Sequence, residues 1–478
     1  MDAINEWLLT WGDQYWTWVV LPVVVVLGVY FTIRSGVVQV RLIPEMFRTL
    51  TNRTPRSEDG TPQSVSAFQA FTISAASRVG VGNIAGVGTA IAIGGPGAVF
   101  WMWLMAFVGG ASSFIESSLA QLYKVRDKDG FRGGPAYYME RGLKARWMGI
   151  VFAVILIICF PLAFSSLQAN TIQATIAGSL NESATGWLPL ATGIGLAVLM
   201  ALVIFGGVRR IASVTQTLVP LMALAYLGLG IIVVVIHIER VPEVFAAIFT
   251  QAFRPNEIVG ATFGYIVLQG VKRGMFSNEA GLGSAPNAGA TAAVTHPVKQ
   301  GLVQTLGVYF DTFLVCSITA FIILVSVPDL ASAERGIGLT QGALVGTLGS
   351  WSNIVLSIII FLLAFSSILG NYYYGESNIE FITKRRGSLL VYRIVAVVAV
   401  FVGALVSADI VWNFADGAMG LMALVNLIAI ALLSGVAFRL LKDYTQQRKQ
   451  GLDPVFTRDR MPDPVSYTHL TLPTILRV

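Results

Sequence analysis

The chain has 478 residues, 55% of them hydrophobic and only 12% charged, with a mean hydropathy of +0.71. Soluble domains run at about 25% charged, which excludes a soluble enzyme; an outer-membrane barrel is excluded too, because its strands would alternate polar and apolar over about ten residues. The net charge of +6 does not mark a nucleic-acid binder, since the basic residues fall in alternate loops rather than in one patch.

The first apolar run, Trp16 to Ile33, follows Asp2, Glu6 and Asp13, with no Lys or Arg before Arg34. It lacks the basic n-region of a cleavable signal peptide and reads as a first span with its N-terminus outside. Ten more stretches are long enough to cross about 30 Å of hydrocarbon. They lie near 66–94, 98–122, 148–178, 188–207, 213–237, 257–291, 302–327, 350–380, 389–408 and 413–438. With eleven spans, the inside segments are 34–65, 123–147, 208–212, 292–301, 381–388 and the tail, and they hold 25 of the 32 Lys and Arg. That is the bias of the positive-inside rule, and it puts the C-terminus in the cytoplasm. The compact loops fit a bacterial inner membrane.

Segments 240–256 and 328–348 are too amphipathic to span. They are expected outside, as caps over an outer vestibule or as ordinary long loops. The polar tail after Lys449 is expected to be poorly ordered, and Tyr467–Val478 receives no function. Cys159 and Cys316 sit in apolar runs and form no CxxC. His237, His296 and His469 lie off the spans, so no metal or haem site, and no cofactor, is expected in the bundle.

The chain repeats itself. Residues 78–88 read RVGVGNIAGVG and residues 273–283 read RGMFSNEAGLG, offset by 195. Residues 163–170 read AFSSLQAN and residues 364–371 read AFSSILGN, offset by 201. Numbering ten core spans from residue 66, the matches fall on cores 1 and 6 and on cores 3 and 8. Halves of five spans must insert in opposite senses, which predicts an all-α polytopic protein with a five-plus-five inverted repeat behind one extra helix. The implied units are 1–65, the repeats 66–237 and 257–438 joined by an external loop 238–256, and a tail 439–478.

Gly80, Gly82, Gly86 and Gly88 in core 1, and Gly274, Gly281 and Gly283 in core 6, predict broken helices. Broken backbone in lipid is tolerated only in protein or along a cavity. Its freed N–H and C=O groups suit a zwitterion or small anion. The hydroxyls of Ser366 and Ser367, with carbonyls near Ala76 and Val79, offer hard oxygen ligands to sodium; bonding back to their own helix is the alternative. Gln168 and Asn170 are expected to face the cavity, with an interhelical hydrogen bond as the rival. Arg78, Glu116, Lys272, Arg273, Glu279, Asp311, Glu376 and Asp416 are the ionisable residues within spans. They are read as gating or structural ion pairs, with Glu279 set against Arg78 or Arg273.

The run GGPGAVFWMWLMAFVG (94–109), with RVGVGNIAGV (78–87) and FSNEAGLGSAP (276–286), resembles the alanine or glycine:cation symporter family from about residue 15 to 445. The resemblance implies a leucine-transporter-type core and uptake of alanine or glycine coupled to sodium, sometimes to protons. It implies that a small neutral amino acid meets Val79, Gly80, Val81, Gly82 and Asn83, Phe276 and Ser277, with Gln168 as a polar contact. Phe164, Phe276 and Asn371 would shape the pocket, and some relatives carry Trp at the position of Asn371. Sodium would sit among Ala76, Val79, Leu363, Ser366 and Ser367. The partners are then the amino acid, sodium and the bilayer, around a monomer. The alternatives are a proton-coupled or exchange carrier for another small neutral amino acid and a non-transporting sensor on the same fold.

Overall fold

Backbone groups in hydrocarbon must be bonded within their own segment, so apolar stretches of this length fold as helices. The computed structural model describes residues 10–461 except 57–61, 128–129, 181–185, 254–262, 328–329, 331–335, 407 and 458–459. The region 467–478, given no function above, lies outside the described residues. The elements that build the site are α1 (Ala67–Arg78), α2 (Val87–Gly94), α3 (Gly97–Leu122), α4 (Ser165–Leu180), α5 (Phe263–Asn278), α6 (Ala285–Gly289), α7 (Pro297–Tyr309), α8 (Trp351–Ile382), α9 (Arg386–Gly403) and α10 (Ala408–Lys449). Among the described residues the strands form one small antiparallel hairpin, Val125–Asp127 with Gly130–Arg132.

Among the described residues, eight helices are long and apolar enough to cross a membrane, or nine when α1 and the segment Gly82–Gly94 count as one span bent by 52°. That is fewer than the eleven expected. At the two other expected positions stand α5, interrupted before α6, and the shorter apolar stretch Gly387–Gly403. The distribution of polarity is the inverse of a soluble protein's. Leu224, Val391 and Leu432 are exposed, while Glu116, Asp311, Ser366 and Ser367 are fully buried.

Local signals start and stop the helices that matter. Ser66 caps α1 by a reciprocal pair: Gln69 N–H donates to Ser66 Oγ at 3.1 Å, and Ser66 N–H to Gln69 Oε1 at 2.9 Å. The helix ends at Val79 (φ −80°, ψ 86°) and resumes as a π-helical turn at Gly82–Gly86. Two further π-helical stretches, Ile158–Phe164 ahead of α4 and Phe310–Cys316 after α7, widen helices beside the same region.

Both amphipathic segments are helical in their described parts, as Val241–Gln251 and Ile337–Leu348. Each packs against the bundle: Trp101 Nε1 donates to Ala252 O at 2.9 Å, and a Cβ on Gly88 would lie 2.3 Å from Gly336 O. The start of the tail is ordered too, against expectation. Phe456 N–H donates to Thr295 O at 2.8 Å, Thr295 Oγ1 to Pro454 O at 2.9 Å, and Lys299 pairs with Asp453 at 2.8 Å. Sequence polarity there was offset by one buried aromatic, Phe456.

A largely buried charge cluster joins the extra N-terminal helix to the bundle. Arg273 grips Asp416 with Nη1 at 3.1 Å and Nη2 at 2.9 Å, while Lys272 reaches Asp416 at 2.9 Å and Asp13 at 3.0 Å. Breaking a buried pair from one side leaves uncompensated charge and costs about 3–5 kcal/mol. Asp416→Ala is therefore expected to lower the thermal midpoint in detergent far more than Asp13→Ala, whose loss leaves Lys272 with Asp416.

Candidate functional site

The first break presents backbone to its neighbours, and each group finds a side chain. Gly80 N–H donates to Asn83 Oδ1 at 2.9 Å and Val81 N–H to Gln168 Oε1 at 3.1 Å. Asn83 turns its Nδ2 to Asp311 Oδ1 at 2.6 Å. The second break repeats the device. Asn278 Oδ1 accepts from Ala280 N–H at 2.9 Å, and its Nδ2 donates to Thr312 Oγ1 at 3.2 Å. The two motif asparagines thus brace both breaks on adjacent residues of one π-helical turn. Ser277 Oγ also donates to Asp311 Oδ2 at 2.7 Å. The breaks touch: a Cβ on Gly82 would lie 2.7 Å from Phe276 Cδ1.

Beside the end of α1, oxygens converge. Ser367 Oγ lies 2.8 Å from Ala76 O, 3.1 Å from Leu363 O and 3.5 Å from Val79 O. Ser366 Oγ lies 2.9 Å from Leu363 O and 3.3 Å from Met222 Sδ. One hydroxyl proton cannot serve three carbonyls. The surplus of lone pairs, all on hard neutral oxygens and aided by the negative end of the α1 dipole, suits a small monovalent cation. All five residues expected to hold sodium are brought together. The back-bonding alternative is present as well, through the Leu363 carbonyl.

The remaining predicted residues are divided. Phe164 and Phe276 meet in a tilted contact with centroids 4.6 Å apart, next to Gln168 and the first break. Asn371 lies against α1, where its Oδ1 faces Ser77 Oγ at 2.7 Å. Asn170 instead donates to Val406 O at 2.6 Å, the interhelical rival rather than the cavity. The pairing of Glu279 with Arg78 or Arg273 is corrected. Its two oxygens accept from Ser77 and Ser284, each at 2.6 Å, while Arg78 turns to Gln304 O at 3.2 Å and Arg273 to Asp416. Hydroxyls take the direct contacts of this buried carboxylate, and Arg78 acts on it through its charge without touching it.

Two contributors were missed. Trp412 meets Phe276 in a tilted contact at 5.0 Å and lies under the Arg273 guanidinium at 4.8 Å, closing one side of the aromatic wall. It falls within the second repeat but in neither of the matched motifs, so no internal match marked it. Asp311 was recognised only as a buried ionisable residue, yet it joins the two breaks.

Two interrupted helices, a clustered set of neutral oxygens and an aromatic wall within a helical bundle define a membrane transporter. The fold agrees with that of MhsT in complex with L-phenylalanine, with a TM-score of 0.56 at 14% identity, covering 82% of this chain and 99% of that one. The description "Sodium:alanine symporter family" matches residues 1–458, and the chain belongs to that family of amino-acid:cation symporters. Among curated relatives, the amino-acid carrier protein AlsT of Bacillus subtilis is 51% identical over 451 residues, 94% of each chain. A protein of the same organism named "Probable sodium/glutamine symporter GlnT" is 48% identical over 449 residues, 94% of this chain and 92% of that one. The sodium/alanine symporter AgcS of Methanococcus maripaludis is 36% identical over 455 residues, 94% of this chain and 97% of that one.

The close approach at Gly80 makes a direct test. A Cβ there would lie 2.3 Å from Ser367 Oγ and 3.0 Å from Gln168 Oε1, whereas one on Gly86 meets nothing within 4 Å. Overpacking of this kind costs about 1–3 kcal/mol, or roughly tenfold in an affinity. Gly80→Ala should therefore weaken amino-acid uptake by about that factor, and Gly86→Ala should leave the uptake rate near wild type.

Proposed function

We propose that this protein imports alanine and/or glycine by sodium symport across a bacterial inner membrane, as a monomer with its N-terminus outside. Alternating access operates around the two breaks. The observation that carries the reading is the oxygen set at Ser367, whose single hydroxyl proton faces three carbonyls, one of them shared with the Ser366 hydroxyl. Sodium held there ties α1 to α8 and favours the outward-open state. Substrate then contacts Val79 to Asn83 of the first break and Phe276 and Ser277 of the second, which draws them together, and the bundle rocks inward. Gln168 is the exchangeable polar partner, and the tilted Phe164–Phe276 pair limits the substrate side chain to a hydrogen or methyl group. The ion drives import because it binds the two states with different affinity.

A second substrate reading is a neutral amide amino acid. It is favoured by Asn371, whose buried side-chain amide meets Ser77 with one end and keeps the other without a partner among the described residues, able to bond a substrate amide. The relative named for glutamine points the same way.

Uptake of labelled alanine into proteoliposomes, with and without an inward sodium gradient, is the test. Glycine should compete under the first substrate reading and glutamine under the second. Accumulation driven by a pH gradient without sodium would discard the ion assignment. Removing a hydrogen-bonding ligand to a charge costs about 1.5–3 kcal/mol, so Ser367→Ala should raise the half-saturating sodium concentration by about tenfold or more. The Ser366→Ala, Ser367→Ala double variant should raise it further. A correctly inserted double variant with unchanged sodium dependence would sink the site.

A further inference from the structure

The donors freed by the second break can be followed one by one. Glu279 N–H donates to Met275 O at 3.0 Å, Ala280 N–H to Asn278 Oδ1 at 2.9 Å, and Leu282 N–H to Glu279 O at 3.2 Å. Those of Gly281 and Gly283 converge on one side chain that the symport reading leaves without a role. Glu116 of α3 accepts from Gly281 N–H through Oε1 at 3.3 Å and from Gly283 N–H through Oε2 at 3.1 Å. Asn426 Nδ2, from α10, adds a third donor to Oε2 at 2.7 Å and also reaches Gly281 O at 2.9 Å. Tyr138 donates to Asn426 Oδ1 from behind.

Backbone geometry explains the convergence. Glu279, Gly281 and Gly283 have φ of 56°, 82° and 79°. Alternating left-handed residues turn successive N–H groups to one side and make an anion-binding concavity. Glu116 is fully buried, and every partner named here is a donor, the set that an ionised carboxylate requires.

We propose that Glu116 is a resident anion: it fills the N–H nest of the second break, positions Phe276 and Ser277, and leaves the first break to take the substrate carboxylate. This rests on the symport reading. At the first break the acceptors on Gly80 and Val81 are the neutral amides of Asn83 and Gln168, which a carboxylate displaces without repulsion. At the second break it would meet another carboxylate where the dielectric constant is low. Glu116 is thus a positioning residue, acting through the backbone that carries Phe276.

Chemical rescue tests this on the full-length protein. Glu116→Ala should lower the thermal midpoint, and added sodium formate should restore much of the loss, whereas formamide and sodium chloride should not. In proteoliposomes the same variant should raise KM for alanine by about tenfold, the cost of roughly one charge-assisted hydrogen bond. Its half-saturating sodium concentration should change little, since that site belongs to α1 and α8, and formate should lower KM again. Rescue by formamide as good as by formate, or equal shifts for alanine and sodium, would overturn the proposal. If Glu116→Ala does not fold, Asn426→Ala removes one donor to the carboxylate and should raise KM for alanine by a smaller factor; an unchanged KM there also overturns it. Wild-type protein that takes up no alanine would count against the symport reading, while the formate rescue of stability would still report on Glu116.

Discussion

The constraint on which this molecule turns is that backbone cannot be left unbonded in hydrocarbon. An unpaired N–H or C=O there costs several kcal/mol, so each break in a membrane helix must bring its own partners. The partners are motif residues: Asn83 for Gly80, Asn278 for Ala280, each placed so that its other amide end reaches Asp311 or Thr312. One turn of helix then braces both breaks, and the breaks cannot move without that turn. The asparagine in each half is explained by this double duty. An aspartate could accept from the backbone but could not donate to Asp311, and an aliphatic residue could do neither.

The two halves use their shared motifs differently because their neighbours differ. In AFSS of the second half, Ser367 faces the carbonyls at the end of α1; the matching Ser166 of the first half donates to Ala399 O at 3.0 Å and only fastens α4 to α9. Asn371 faces Ser77 beside the breaks, while Asn170 bonds Val406. The same divergence separates the breaks, one capped by neutral amides and the other by a carboxylate. Duplication supplies similar backbones; the charge that each one tolerates is set by whatever packs against it.

These facts also explain which parts of the molecule were legible in the sequence. Glycine spacing marked both breaks and the paired AFSS runs marked the helices beside them, because those signals are local and occur twice. The oxygen cluster at Ser366 and Ser367 was legible because two adjacent hydroxyls stand out in an apolar run, and the back-bonding weighed against it is present there too. Glu116, Asp311 and Trp412 carried no such signal. Each acts on residues more than thirty positions away and lies in none of the matched motifs, and eight buried ionisable residues offer too many pairings for spacing to choose among. The expected Glu279 ion pair failed for that reason: its neighbours in the motif were arginines, but its neighbours in space were Ser77 and Ser284.

In the proposed cycle the coupling between ion and substrate needs no long pathway. The carbonyl of Val79 belongs to the ion's oxygen set, and the N–H of Gly80 belongs to the substrate's face of the break. Those two groups are opposite ends of one peptide unit, and a peptide unit is planar. A cation that draws the Val79 oxygen toward Ser367 fixes the direction of the Gly80 N–H at the same time. Substrate binding after sodium therefore finds its donor already oriented and loses less conformational freedom, which is positive coupling. Glycine at position 80 is required sterically: its missing side chain leaves the gap through which Ser367 and Gln168 approach the same backbone from the ion side and the substrate side.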